Sequence, residues 1–140
     1  MKYIDFLKSI KSCPFCDFEK IKIIENENAF LTCPAAPYHP DHLLVVPKRH
    51  VVHILDLNDN ETKDIDMLIK QGLKILTKLG YINMCVLVKE GDTREKSIEH
   101  THYHLIPDII LGDSNHTGSD RVVMTDLEIS NLKEKIKTVA

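Results

Sequence analysis

No apolar run in these 140 residues approaches the roughly 20 that a membrane-spanning helix needs. The first residues, Met1-Lys2-Tyr3-Ile4-Asp5-Phe6, lack the basic-then-apolar pattern of a secretory leader. There is no internal repeat, low-complexity tract or linker-like stretch. The formal charge is only −3, so no overall field pulls the chain towards nucleic acid or an anionic membrane. These absences leave a cytoplasmic globular protein as the expectation, with any charged ligand held by local groups.

What is present fits a folded domain. Hydrophobic residues make up 43% and charged residues 28%. The length suits one domain, expected to span residues 1–140. Lys20 to Glu25 and Ala29 to Cys33 flank Asn26-Glu27-Asn28 and predict a short hairpin. His42 to Pro47 predicts a strand ended by a proline that cannot donate to a ladder. Asn58 with Glu61 makes a capping pair for a helix to Leu79, in which Ile65, Leu68, Ile69, Leu73 and Leu76 recur at helical spacing and Gly80 is a natural stop. Met84 to Val88 and Glu99 to Pro107 predict strands. Thr125 with Glu128 caps a last helix with a stripe of Ile129, Leu132, Ile136 and Val139. Short loops between neighbouring strands favour an antiparallel sheet in an α+β domain.

Two patterns carry chemistry. His100, His102 and His104 alternate along a stretch expected to be a strand over 100–107, which would set all three on one face. Buried imidazoles must be hydrogen-bonded, charged or metal-bound; the alternative is an exposed strand with solvated rings. The second pattern is Cys13-Pro14-Phe15-Cys16, a knuckle near 13–16 whose two thiolates are half of a tetrahedral zinc site. A redox pair or an unmetallated pair are the alternatives, although a redox pair opens a helix after a strand and this one precedes any clear strand. Cys33 and Cys85 lie in apolar stretches and are expected to be buried and inert.

The run His100-Thr101-His102-Tyr103-His104-Leu105-Ile106-Pro107 resembles the histidine-triad (HIT) motif. Leu43-Leu44-Val45-Val46-Pro47-Lys48-Arg49-His50 is similar to the family's apolar strand followed by basic residues and histidine, and Ser97 stands three residues before His100, as in many members. The likeness runs from about Cys13 to Arg121. It implies a sheet of about five antiparallel strands with two helices, paired as a homodimer. It implies a purine nucleotide or dinucleotide as partner, rather than nucleic acid or membrane. It also implies attack by His102 on the α-phosphate to give a nucleotidyl-histidine, with His104 positioning the phosphate and assisting proton transfer and Ser97 donating to the leaving group. The zinc-containing bacterial type completes its knuckle with two histidines, here His50 and His100, so that Cys13, Cys16, His50 and His100 would hold a structural zinc.

The chain departs from the family at several places. Lys89 replaces an asparagine, Glu95 and Lys96 replace a glycine–glutamine pair, and Thr32 and Cys33 stand where an acidic ribose ligand is usual. Substrate contacts are therefore expected from His104, Thr32, Lys89 and Lys96, the lysines acting as point charges on phosphate or else remaining solvated. Gly112-Asp113-Ser114-Asn115 is expected to be an ordinary turn. His42 is expected to be structural. Water as acceptor makes the chain a hydrolase of nucleoside phosphoramidates or dinucleoside polyphosphates. Phosphate as acceptor makes it a phosphorylase, and a third possibility is a zinc-stabilised binding module with little turnover.

Overall fold

The computed structural model describes residues 1–91, 98–109 and 122–140. The chain divides into two units, Met1–Ile109 and Ile110–Ala140. In the first, strands β1 (Ile24–Glu25), β2 (Ala29–Thr32), β3 (Leu43–Pro47), β4 (Met84–Val88) and β5 (Tyr103–Pro107) form one sheet in the order β1-β2-β3-β5-β4. Every pairing is antiparallel.

Strands β2 and β3 are covered on both faces, which is why they are continuous apolar runs rather than alternating ones. On one face Ala29, Leu31, Val45 and Leu105 pack with Ile65, Leu68 and Leu76 of helix α3 (Asp59–Lys78). On the other, Phe30, Leu44 and Val46 pack with Phe15 of the cysteine knuckle, flanked by Phe18, Ile21 and Ile98. Helix α3 starts at the expected cap: Asn58 Oδ1 accepts from Glu61 N (2.8 Å) and Glu61 Oε1 accepts from Asn58 N (3.0 Å). Gly72, in the second half of the helix, is buried, and a Cβ there would run into Leu105 and come within 3.1 Å of Leu31. The glycine lets the helix lie close on β2 and β5 despite its poor helix propensity. No described helix is long and apolar enough to cross a membrane.

Four α-helices occur among the described residues, which corrects the expectation of two. The additional ones are α1 (Tyr3–Ser9) and α2 (Phe18–Ile21). Neither is long enough to display a helical stripe: α1 buries no residue, and α2 is one turn seated by Phe18 stacking on Phe30 at 5.6 Å. Because α2 takes up Phe18–Ile21, the strand expected over Lys20 to Glu25 shrinks to Ile24–Glu25. The histidine strand also begins later than expected, at Tyr103, because Thr101 N donates to Val51 O (2.6 Å) in the loop instead of joining the ladder. Cys33 is exposed just past the end of β2, against the expectation of burial, and Cys85 is partly buried.

In the second unit, α4 (Asp126–Val139) has the capping box foreseen at Thr125 and Glu128. Its stripe of Ile129, Leu132, Ile136 and Val139 is exposed.

Gly72→Ala gains helix propensity but forces the fully buried Leu105 side chain to move. Overpacking outweighs propensity, so a net loss of about 1 kcal/mol is expected in urea unfolding; a stabilised variant would contradict the close approach.

Candidate active site and metal centre

Eight histidines and four cysteines occur in the chain, and β3, the loop after it and the residues leading into β5 gather the chemically important ones. Leu44 pairs with His104 across β3 and β5, so His42, two residues earlier, lies on the same sheet face as His104. Antiparallel register thus brings together two histidines 62 positions apart, with His42 Nε2 2.9 Å from His104 Nδ1.

The hydrogen bonds fix which nitrogen of each ring carries the proton. Tyr38 N donates to His42 Nδ1 (3.2 Å), so the proton of neutral His42 is on Nε2 and is donated to His104 Nδ1. His104 in turn carries its own proton on Nε2. His102 Nδ1 lies 2.7 Å from the carbonyl of His100, an acceptor only, so Nδ1 donates, and in the neutral ring the lone pair of His102 is on Nε2. His102 and His104 stand with ring centroids 4.9 Å apart, and Phe15 tilts against His102 at 5.2 Å. Burial, then the charges of His102 and His39, push His42 down to about 4. Burial, then His102, His42 and Lys89, push His104 down to about 3. Both rings are therefore neutral at neutral pH.

The loop bearing His42 is braced from the far side. The Tyr81 hydroxyl donates to Asp41 Oδ2, and His39 meets the Tyr81 ring edge-on while its Nδ1 accepts from Asp41 N (3.0 Å). None of these braces was foreseen in the sequence. In the sequence His42 reads as structural, and its register parity with His104 is the signal that identifies its place beside that ring.

A second cluster adjoins the first. Cys13 Sγ lies 3.4 Å from His100 Nδ1, and Cys16 Sγ lies 3.2 Å from His50 Nδ1 and 3.7 Å from His100 Nδ1. All four ligand atoms fall within 4.8 Å of one another. Zinc bonds of about 2.0–2.3 Å to nitrogen and sulfur in a tetrahedron give ligand–ligand edges of about 3.5 Å, so these spacings suit zinc. The proton inventory agrees: His100 Nε2 donates to the Pro47 carbonyl (2.8 Å), which leaves the Nδ1 lone pair directed at the sulfurs. Loss of water, then the hydrogen bond and charge of Cys13, push the Cys16 thiol up, a cost that a bound cation would reverse. The donor set fits a closed structural site.

The other expected contacts divide. Lys89 is exposed just past β4, and its charge acts on His104. Thr32 shares the sheet face of Leu44 and His104 but is buried, its hydroxyl donated to Ile21 O (2.6 Å). Glu95, Lys96, Ser97, the stretch 112–115 and Arg121 lie outside the described residues.

An antiparallel α+β domain with a Cys₂His₂ cradle beside a cluster of neutral histidines defines the class. The model of the HIT domain matches residues 17–109, and the chain belongs to that family. It is 31% identical over 102 residues to an uncharacterized 16.1 kDa HIT-like protein of Mycoplasma pneumoniae, covering 69% of this chain and 71% of that one. It is 32% identical over 101 residues to the adenosine 5'-monophosphoramidase of Schizosaccharomyces pombe, covering 69% and 74%. The crystal structure of a histidine triad nucleotide-binding protein from Candida albicans aligns over 91% of this chain and 96% of that one, at 25% identity and a TM-score of 0.72.

His42 has a folded pKa below its unfolded value of about 6.5. Between those values the unfolded chain binds more protons, so stability is lost as pH falls from about 6.5 towards 4. Removing the ring by His42→Gln keeps a donor for His104. The variant is expected to lose less urea stability than wild type across that interval, the difference in slope reaching at most ~1.4 kcal/mol per pH unit. Parallel pH profiles would show that His42 is not held neutral.

Proposed function

We propose that this protein is a nucleotidyl hydrolase or transferase that attacks the α-phosphate of a nucleoside phosphoramidate, or of a dinucleoside polyphosphate, through a covalent intermediate on His102. The observation that carries this reading is the Nδ1 bond of His102 to the His100 carbonyl, which leaves the nucleophilic lone pair on Nε2. Family membership and the likeness to a monophosphoramidase support the phosphoramidate class.

In the first step His102 Nε2 forms a bond to phosphorus while the bond from phosphorus to the leaving nitrogen or oxygen breaks. The imidazolium so formed keeps its Nδ1 proton on the His100 carbonyl, which offsets the new positive charge. The leaving group takes a proton from solvent, with Ser97 as the proposed donor of a hydrogen bond to it. His104, neutral and protonated on Nε2, donates a hydrogen bond to a phosphoryl oxygen; giving up that proton entirely would leave an imidazolate, so a donor role suits it better than acid catalysis. Lys89 is proposed to add a point charge on the phosphate side, as is Lys96. In the second step water attacks phosphorus, the N–P bond breaks with its electron pair returning to Nε2, and the proton of water leaves to solvent. A zinc held by Cys13, Cys16, His50 and His100 would supply structure, fixing the His100 carbonyl on which His102 depends.

His102→Asn removes the nucleophile and no metal ligand. Turnover of a nucleoside phosphoramidate should fall roughly a thousand-fold or more while folding and zinc content stay as in wild type. Intact mass measurement after rapid mixing and acid-free quenching should find a nucleotidyl adduct on wild type alone. Full activity in the variant, or an adduct mapped elsewhere, would refute the mechanism.

A further inference from the structure

We infer that Arg49 and Glu61 are a positioning pair for the metal centre, setting the affinity with which the Cys₂His₂ site holds its ion. This rests on the metal-site reading above.

The five residues leaving β3 are tied down one after another. The Pro47 carbonyl accepts from His100 Nε2 (2.8 Å), Lys48 N donates to Asn28 O (2.8 Å), His50 Nδ1 lies 3.2 Å from Cys16 Sγ, and the Val51 carbonyl accepts from Thr101 N (2.6 Å). Arg49 is the central tie. Its Nε donates to Glu61 Oε2 (3.0 Å), its Nη2 to Glu61 Oε1 (2.7 Å), and Nη2 also to Asp56 O (2.8 Å). Both carboxylate oxygens of Glu61 are thus held in a fork that only a guanidinium matches.

The two partners differ in exposure. The Glu61 side chain is 3% exposed and that of Arg49 53%. A carboxylate so deeply buried stays charged because Arg49 holds it below the ordinary range, against the effect of burial. Glu61 is also the residue that closes the capping box of α3. One side chain therefore anchors the segment 47–51 to the start of the helix that forms one wall of the core. That segment supplies one ligand, His50, and the carbonyl that orients another, His100. Neither Arg49 nor Glu61 is among the ligands themselves. Partners of this kind act on a metal through the ligands they aim.

Zinc affinity, measured by competition with a chromophoric chelator, tests this without reference to turnover. Arg49→Gln is expected to bind zinc about 10- to 100-fold more weakly than wild type. Arg49→Lys, which keeps the charge but not the fork, should recover part of the loss. Glu61→Gln should weaken binding likewise, and if it fails to fold, the half-exposed Arg49 carries the test. Asp66→Asn is the control, since the Asp66 carboxylate pairs with Lys70 (3.0 Å) within α3; it should leave zinc affinity unchanged. Wild-type affinity in Arg49→Gln, or an equal loss in Asp66→Asn, would overturn the proposal. A wild-type protein that takes up no zinc would reject the metal-site reading itself, and the positioning role with it.

Discussion

The buried hydrogen bond from His100 Nε2 to the carbonyl of Pro47 is the constraint on which both halves of the site depend. It consumes the only proton of a neutral, fully buried ring, so the other nitrogen must present a lone pair, and that nitrogen faces two sulfurs. It also fixes the backbone of His100, whose own carbonyl takes the Nδ1 proton of His102. A candidate metal ligand and the proposed nucleophile are therefore oriented through a single residue. Breaking the first bond would leave a buried carbonyl and a buried N–H unpaired, each costing about 1–3 kcal/mol.

Around that bond the protein uses uncharged groups. His42 and His104 stay neutral because they are buried and because their neighbours are other imidazoles. In the proposed mechanism neutral rings in a fixed tautomer order would serve a phosphate well, with one lone pair to attack and one N–H to receive a phosphoryl oxygen. The charge the substrate needs can then come from the rim, where Lys89 already acts on His104. A net charge of −3 overall is compatible with this, since recognition is local.

Much of this was legible in the sequence because its signals are local. The capping pair Asn58–Glu61, the helical period from Ile65 onward and the run Met84–Val88 depend on neighbours a few residues away, and they emerged with little change. The four candidate metal ligands could be named because the Cys-x-x-Cys spacing and the family motif converge on them, and they do cluster. What was illegible is set by long-range contacts. Helix α2 exists because Phe18 finds Phe30, and the histidine segment leaves the ladder at Thr101 because Val51 takes its N–H. Three histidines at alternate positions suggested one strand face, yet only His104 lies in the strand; His100 faces the knuckle and His102 hangs from its carbonyl. Thr32 looked available at a ligand position, and its hydroxyl is taken by Ile21. Arg49 reads as one of several basic residues and Glu61 as a capping residue, and no local signal in the sequence shows that the two pair.

Two-bond proton–nitrogen correlation of the imidazole rings near pH 7, on ¹⁵N-labelled zinc-loaded protein, tests the central claim most directly. The ordered tautomers give a specific pattern: His102 protonated on Nδ1 alone, and His42, His100 and His104 each protonated on Nε2 alone. A His102 ring protonated on Nε2, or doubly protonated, would contradict the account, because the nitrogen assigned to attack phosphorus would then have no lone pair.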